Sequence, residues 1–177
     1  MFTDIRVLNG SSLRERDLLG ITQTLHSVFG VPATIGPAEL DLDGAYDASR
    51  RQSNSTALLS QILRNSDTAT KRIAVVEVDL FIPVLTFVFG EAQVSDGGAV
   101  VSAHRLRQEF YGLAADLELL RERLLMEALH ELGHTCGLRH CPDYLCVMSS
   151  SYGVERIDLK RAEFCPACAP ALPTTQL

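Results

Sequence analysis

Residues 130–140 read His-Glu-Leu-Gly-His-Thr-Cys-Gly-Leu-Arg-His. On a helix, residues four apart lie one turn above each other, so the imidazoles of His130 and His134 can converge on one ion. Glu131 sits about 100° round the same helix, within reach of a water on that ion without having to ligate it. Gly137 can adopt the left-handed conformation that ends a helix, and the turn it permits can swing His140 back as a third ligand. Three protein ligands leave a fourth position open, which is the pattern of a catalytic rather than a structural zinc. At this composition, chance alone gives HExxH in on the order of 1 in 100 shuffled chains, and adding Gly137 and His140 lowers this to on the order of 1 in 100,000.

All five cysteines fall between Cys136 and Cys168. Cys141 follows His140 directly, Cys146 follows after four residues, and Cys165-Pro166-Ala167-Cys168 forms a knuckle beyond a longer loop. Two close pairs separated by a loop suit a closed, tetrahedral four-thiolate zinc, a structural staple for an irregular segment. A redox CxxC should instead open a helix after a strand, and inert reduced thiols are the plainer alternative. Because Cys141 adjoins His140, an empty thiolate site should cost His140 its position. Cys136 lies about 200° round the helix from His134, which points it away from the ion as a small buried apolar residue. His26 and His104 have no ligand-like neighbours and read as surface or hairpin residues.

These residues need a scaffold. The chain has 177 residues, 46% hydrophobic and 21% charged, with a net charge of -6, which fits one globular domain rather than disorder or low complexity. The acidic balance argues against nucleic acid as a partner. Leu80–Gly90 is too short to span a bilayer and is broken by Pro83, so no membrane partner is expected. Met1-Phe2-Thr3-Asp4 does not open a secretory signal, which makes a cytoplasmic location and reduced thiols the expectation. Apolar spacing predicts strands at 4–8, 38–42, 72–80, 86–93 and 99–106, the last two joined at Asp96-Gly97-Gly98. It predicts helices over 13–29 (capped by Ser11 or Ser12), 53–65 and 114–136, and a loose tail after Cys168. This order indicates a three-layer α/β or α+β domain with a small metal-stapled C-terminal lobe.

HExxHxxGxxH resembles the metzincin zinc-binding sequence, and Met148 is similar to the methionine that lies beneath the metal in that clan. The continuation HCx4CxM with a later CxxC resembles the archaemetzincins. Phe87-Val-Phe-Gly-Glu-Ala92, Tyr46-Asp47 and Arg50–Gln52 also look like that family. The resemblance implies an α+β fold: a twisted mixed sheet with backing helices, an active-site helix and a Cys-rich C-terminal subdomain. It divides one catalytic domain into residues 1–137 and 138–177. By the same likeness His130, His134 and His140 are catalytic zinc ligands, Glu131 is the general base and Met148 is the Met-turn residue. Cys141, Cys146, Cys165 and Cys168 bind a second zinc, giving two ions per chain. The implied activity is metallopeptidase hydrolysis of a peptide or protein paired along an edge strand at 86–93; a monomer is the simplest state. A partner-binding zinc module and a three-histidine nuclease are the alternatives. Arg139 and Tyr144 flank the motif without an assigned role.

Overall fold

The computed structural model describes residues 2–64, 69–95 and 97–172. Asn65 at the end of an expected helix, Asp96 in the expected hairpin turn and the tail from 173 onward lie outside the described residues. Five strands form the main sheet: β1 (Asp4–Asn9), β2 (Ala33–Pro37), β5 (Thr70–Val76), β7 (Gly90–Ala92) and β8 (Gly98–Ser102), in the order β2-β1-β5-β8-β7. The first four in that order are parallel, and β7 closes the edge antiparallel to β8. A smaller sheet joins β3 (Tyr46–Asp47), β4 (Gln52–Asn54) and β6 (Leu80–Phe81). The helices are α1 (Glu15–Phe29), α2 (Leu42–Ala45), α3 (Ser55–Arg64), α4 (Leu117–Thr135) and α5 (Val154–Ile157).

Side chains alternate across the pleat, and both faces of the main sheet are covered. Ile5, Val7, Ile73, Val75, Ala99 and Val101 face a core shared with α1 and α4. Ala74, Val76 and Val100 face the opposite way, onto Leu58 and Ile62 of α3. This is why 72–76 and 99–101 read as unbroken apolar runs rather than alternating ones. The expected α+β architecture, with helices on both sides of a mixed sheet, is therefore present. Each fully buried aliphatic side chain contributes roughly 1.5–3 kcal/mol. The core residues Leu120, Leu124, Leu129 and Leu132 thus fix α4 firmly to the sheet.

Several expected boundaries move. The second strand is Ala33–Pro37, not 38–42; β2 lies at the sheet edge, where Gly36 and Pro37 are tolerated. The run 72–80 divides into β5 and β6, and of 86–93 only Gly90–Ala92 pairs with β8. The strand expected over 99–106 ends at Ser102, and His104–Leu106 forms a 3-10 turn. Helix α1 starts at Glu15, so neither serine caps it: Asp17 accepts from the Arg14 N–H at 3.0 Å, while Ser11 donates to Asn9 and Ser12 to Glu77. Helix α4 starts one residue after Asp116, whose carboxylate accepts from the Leu119 N–H at 3.0 Å.

Candidate active site

Helix α4 ends where the motif requires it to. Gly137 has φ 91°, its N–H donates to the His134 carbonyl, and the Leu138 N–H donates to Gly133. This pair of bonds is a Schellman turn, which satisfies the last helical carbonyls and reverses the chain. The reversed segment brings His140 back over α4. Its ring centroid lies 5.3 Å from that of His130 and 5.0 Å from that of His134. One ring nitrogen from each of the three histidines lies within 4.8 Å of the others.

The tautomers follow from the hydrogen bonds. His130 Nδ1 is 2.8 Å from the Val147 carbonyl and His134 Nδ1 is 2.7 Å from the Leu138 carbonyl. A carbonyl can only accept, so both Nδ1 atoms carry the proton and both Nε2 atoms present lone pairs. Those two Nε2 atoms are 3.2 Å apart. Two lone pairs at that distance repel one another unless a cation lies between them. The separation suits two nitrogens on one tetrahedral zinc, about 3.3 Å for bonds of about 2.0–2.1 Å. Burial holds all three imidazoles below their usual pKa, and for His130 the nearby Lys160 adds to this, which favours the neutral imidazole, the form that can bind a metal.

Glu131 is buried beside them, against the sheet edge. A methyl group built on Gly90 would lie 2.8 Å from both Cγ and Oε1 of Glu131, so only glycine lets the edge strand approach this carboxyl so closely. Burial, then the neighbouring carboxylates of Glu127 and Glu91, raise the Glu131 pKa well above the ordinary range. On either side of β7, the Phe89 carbonyl accepts from the Ser102 N–H and the Gln93 N–H donates to the Gly98 carbonyl. By antiparallel alternation Gly90 and Ala92 then turn their backbone groups away from β8, outward from the sheet. The segment before β7 is held by Arg50, which donates to the Leu85 and Thr86 carbonyls, and by Gln52, which donates to Thr86.

A cleft of about 620 Å³ runs between this edge and α4, and the three histidines and Glu131 line it. Its wall is largely apolar, with Ile82, Leu85, Phe87 and Val94 on one side and Tyr152 on the other. Arg139 and Tyr144 do not line it. His104 meets Phe110 edge-on at 5.3 Å between ring centroids and His26 bonds the Val31 carbonyl at 2.9 Å; neither lines the cleft. Reading the sequence missed Glu127, Lys160 and Glu91, which also border the cleft. Glu127 was detectable, since it lies three residues before His130 on the same helical face; Lys160 carries no local signal.

Beneath α4, Met148 is fully buried. A Cβ on Gly133 would clash with the Met148 sulfur and come within 2.9 Å of Phe164. Gly133→Ala should therefore overpack this contact and destabilise by about 1–3 kcal/mol, read as a lower midpoint in urea unfolding with an unchanged slope.

The four sulfurs of Cys141, Cys146, Cys165 and Cys168 also lie within 4.8 Å of one another. Cys141 and Cys165 Sγ are 3.7 Å apart, close to the spacing of about 3.8 Å expected for thiolates at about 2.3 Å from one zinc. The backbone N–H groups of Cys168 and Ala167 draw the Cys165 thiol down to about 7, towards the ligating thiolate. The Cys141 N–H donates to the Met148 carbonyl at 2.9 Å, tying this cluster to the segment under α4. Cys136 stands apart, half-buried against the main core.

The model of Peptidase family M54 matches residues 22–174. The chain belongs to peptidase family M54. An archaemetzincin of Methanocaldococcus jannaschii is 43% identical over 128 residues, covering 72% of this chain and 70% of that relative. The fold superposes on a zinc-dependent peptidase from Methanocorpusculum labreanum with a TM-score of 0.85 and 29% identity, covering 95% of this chain and 99% of that one. It superposes on archaemetzincin from Archaeoglobus fulgidus, complexed with malonate, with a TM-score of 0.80 and 34% identity, covering 96% and 99%. Membership in M54 makes this chain a zinc metallopeptidase acting on peptide bonds. Among the described residues no helix is long and apolar enough to cross a membrane.

Proposed function

We propose that His130, His134 and His140 hold the catalytic zinc of this M54 peptidase and that Glu131 is its general base. The observation that carries this reading is the pair of Nε2 lone pairs 3.2 Å apart, fixed by Nδ1 bonds to backbone carbonyls, inside a cleft that also holds Glu131. Zinc held there supplies Lewis acidity, making water acidic near neutral pH and polarising a carbonyl. Glu131 then accepts the proton of the attacking water and delivers it to the departing amine. The backbone groups of Gly90 and Ala92 pair with an extended substrate by β-augmentation, and the apolar wall takes its side chains.

Cys141, Cys146, Cys165 and Cys168 hold a second, structural zinc in the same reading. The described residues 138–172 then form a metal-stapled subdomain that follows the active-site helix. Metal content and peptide hydrolysis test this together. Purified protein should contain about two zinc ions per chain and cleave an unstructured peptide, with cleavage stopped by a hydroxamate. One zinc, or cleavage of RNA but no peptide, would overturn the assignment.

A further inference from the structure

Lys160 is the least expected residue of the cleft. Its side chain is 1% exposed, and its Nζ meets only two acceptors among the described residues: the Val147 carbonyl at 3.3 Å and Glu127 Oε1 at 3.8 Å. The Glu127 side chain is 4% exposed, and its Oε1 has no hydrogen-bond partner. A buried pair at that separation is a poor stabiliser, because both ions lose their hydration and recover little in direct bonding. Apolar residues of similar volume would serve the core at least as well. The placement therefore calls for a different explanation.

That explanation lies in what Lys160 touches. The Val147 carbonyl accepts from His130 Nδ1 at 2.8 Å and from Lys160 at 3.3 Å, so both of its lone pairs are used. Its peptide lies between Cys146 of the thiol cluster and Met148 under Gly133. The Val147 N–H donates to the Glu163 carbonyl and the Arg161 N–H donates back to the Leu145 carbonyl, so the irregular segment carrying Lys160 runs alongside the segment carrying the Val147 carbonyl. Glu127 stands on α4 three residues before His130 and faces the ammonium from the helix side as its counter-charge.

We propose that Lys160, anchored by Glu127, is a positioning residue for the metal site: it fixes the Val147 carbonyl and through it the ring orientation of His130. This rests on the three-histidine reading above. Groups that orient a metal-bound histidine typically affect metal affinity or activity 10–100-fold when removed. Lys160 stands one bond further out, so an effect of about tenfold is expected.

The test uses full-length protein loaded with cobalt in place of zinc. The three-histidine site is followed by its visible d–d bands and by chelator competition, and the cysteine site by its sulfur-to-cobalt charge-transfer band. Lys160→Met should weaken metal at the histidine site about tenfold, alter the d–d bands and leave the charge-transfer band unchanged. Lys160→Arg, which keeps a cationic donor, should restore most of the affinity. Because Lys160→Met strands the buried Glu127, the double variant Glu127→Leu/Lys160→Met is the control for folding. It should unfold at or above the wild-type temperature and still bind the metal about tenfold more weakly. Wild-type affinity and spectrum in both variants would overturn the positioning role while leaving the three-histidine reading intact. A wild-type protein with no metal at the histidines would overturn both.

Discussion

Glu131→Gln is expected to lower kcat by about 10²–10⁴-fold, the usual contribution of a general base, with zinc still bound. The amide keeps the size of the side chain, so the tight approach of Gly90 is unchanged and the substitution isolates the proton acceptor. The imidazoles keep their Nδ1 bonds to Val147 and Leu138, and metal content should match the wild type. The decisive comparison is single-turnover hydrolysis of a fluorogenic peptide alongside elemental zinc. Turnover within a few-fold of wild type would remove Glu131 from the mechanism. Loss of metal together with rate would mean that the carboxylate supports the site rather than acting in it.

Cys168→Ser should have the second large effect, on folding as well as on chemistry. Structural zinc contributes apparent free energies of about 10–16 kcal/mol in small zinc-dependent peptides, comparable with the whole stability of a typical domain at about 5–15 kcal/mol. Even a fraction of that loss should loosen the segment after Gly137. Three features carry the damage to the histidine site: the Cys141 N–H bond to Met148, the adjacency of His140 and Cys141, and the Val147 peptide that anchors His130. The expected outcome is one zinc fewer, rapid proteolytic cutting within 138–172 and peptidase activity reduced at least tenfold. A variant that keeps two zinc ions and resists protease like the wild type would show that the cysteines are not a closed site.

The chemistry was legible because it is local. HExxH places two imidazoles on one helical face by helical geometry alone, Gly137 marks the turn that returns His140, and the cysteine pairs lie within one short segment. The same locality made α4 readable, since Leu120, Leu124 and Leu132 repeat at helical spacing. What escaped was set by tertiary position. Nothing near Lys160 in sequence announces that it will face Glu127, and nothing around Gly36 and Pro37 announces a sheet edge that tolerates them. The expected strand at 86–93 contracts to Gly90–Ala92 because Arg50 and Gln52, from a distant segment, hold the Leu85–Thr86 carbonyls outside the sheet.

The parallel core of the sheet has a consequence for how the chain reaches this state. β1 pairs with β5, and β5 with β8, so the central ladder forms only after α1, β2 and α3 have been looped out of the way. Closing such loops precedes the reward of pairing, and domains dominated by non-local contacts fold slowly. During that wait the apolar faces of β5 and β8 are uncovered, and association between chains competes with folding. The yield of refolded protein should therefore depend on chain concentration as well as on zinc.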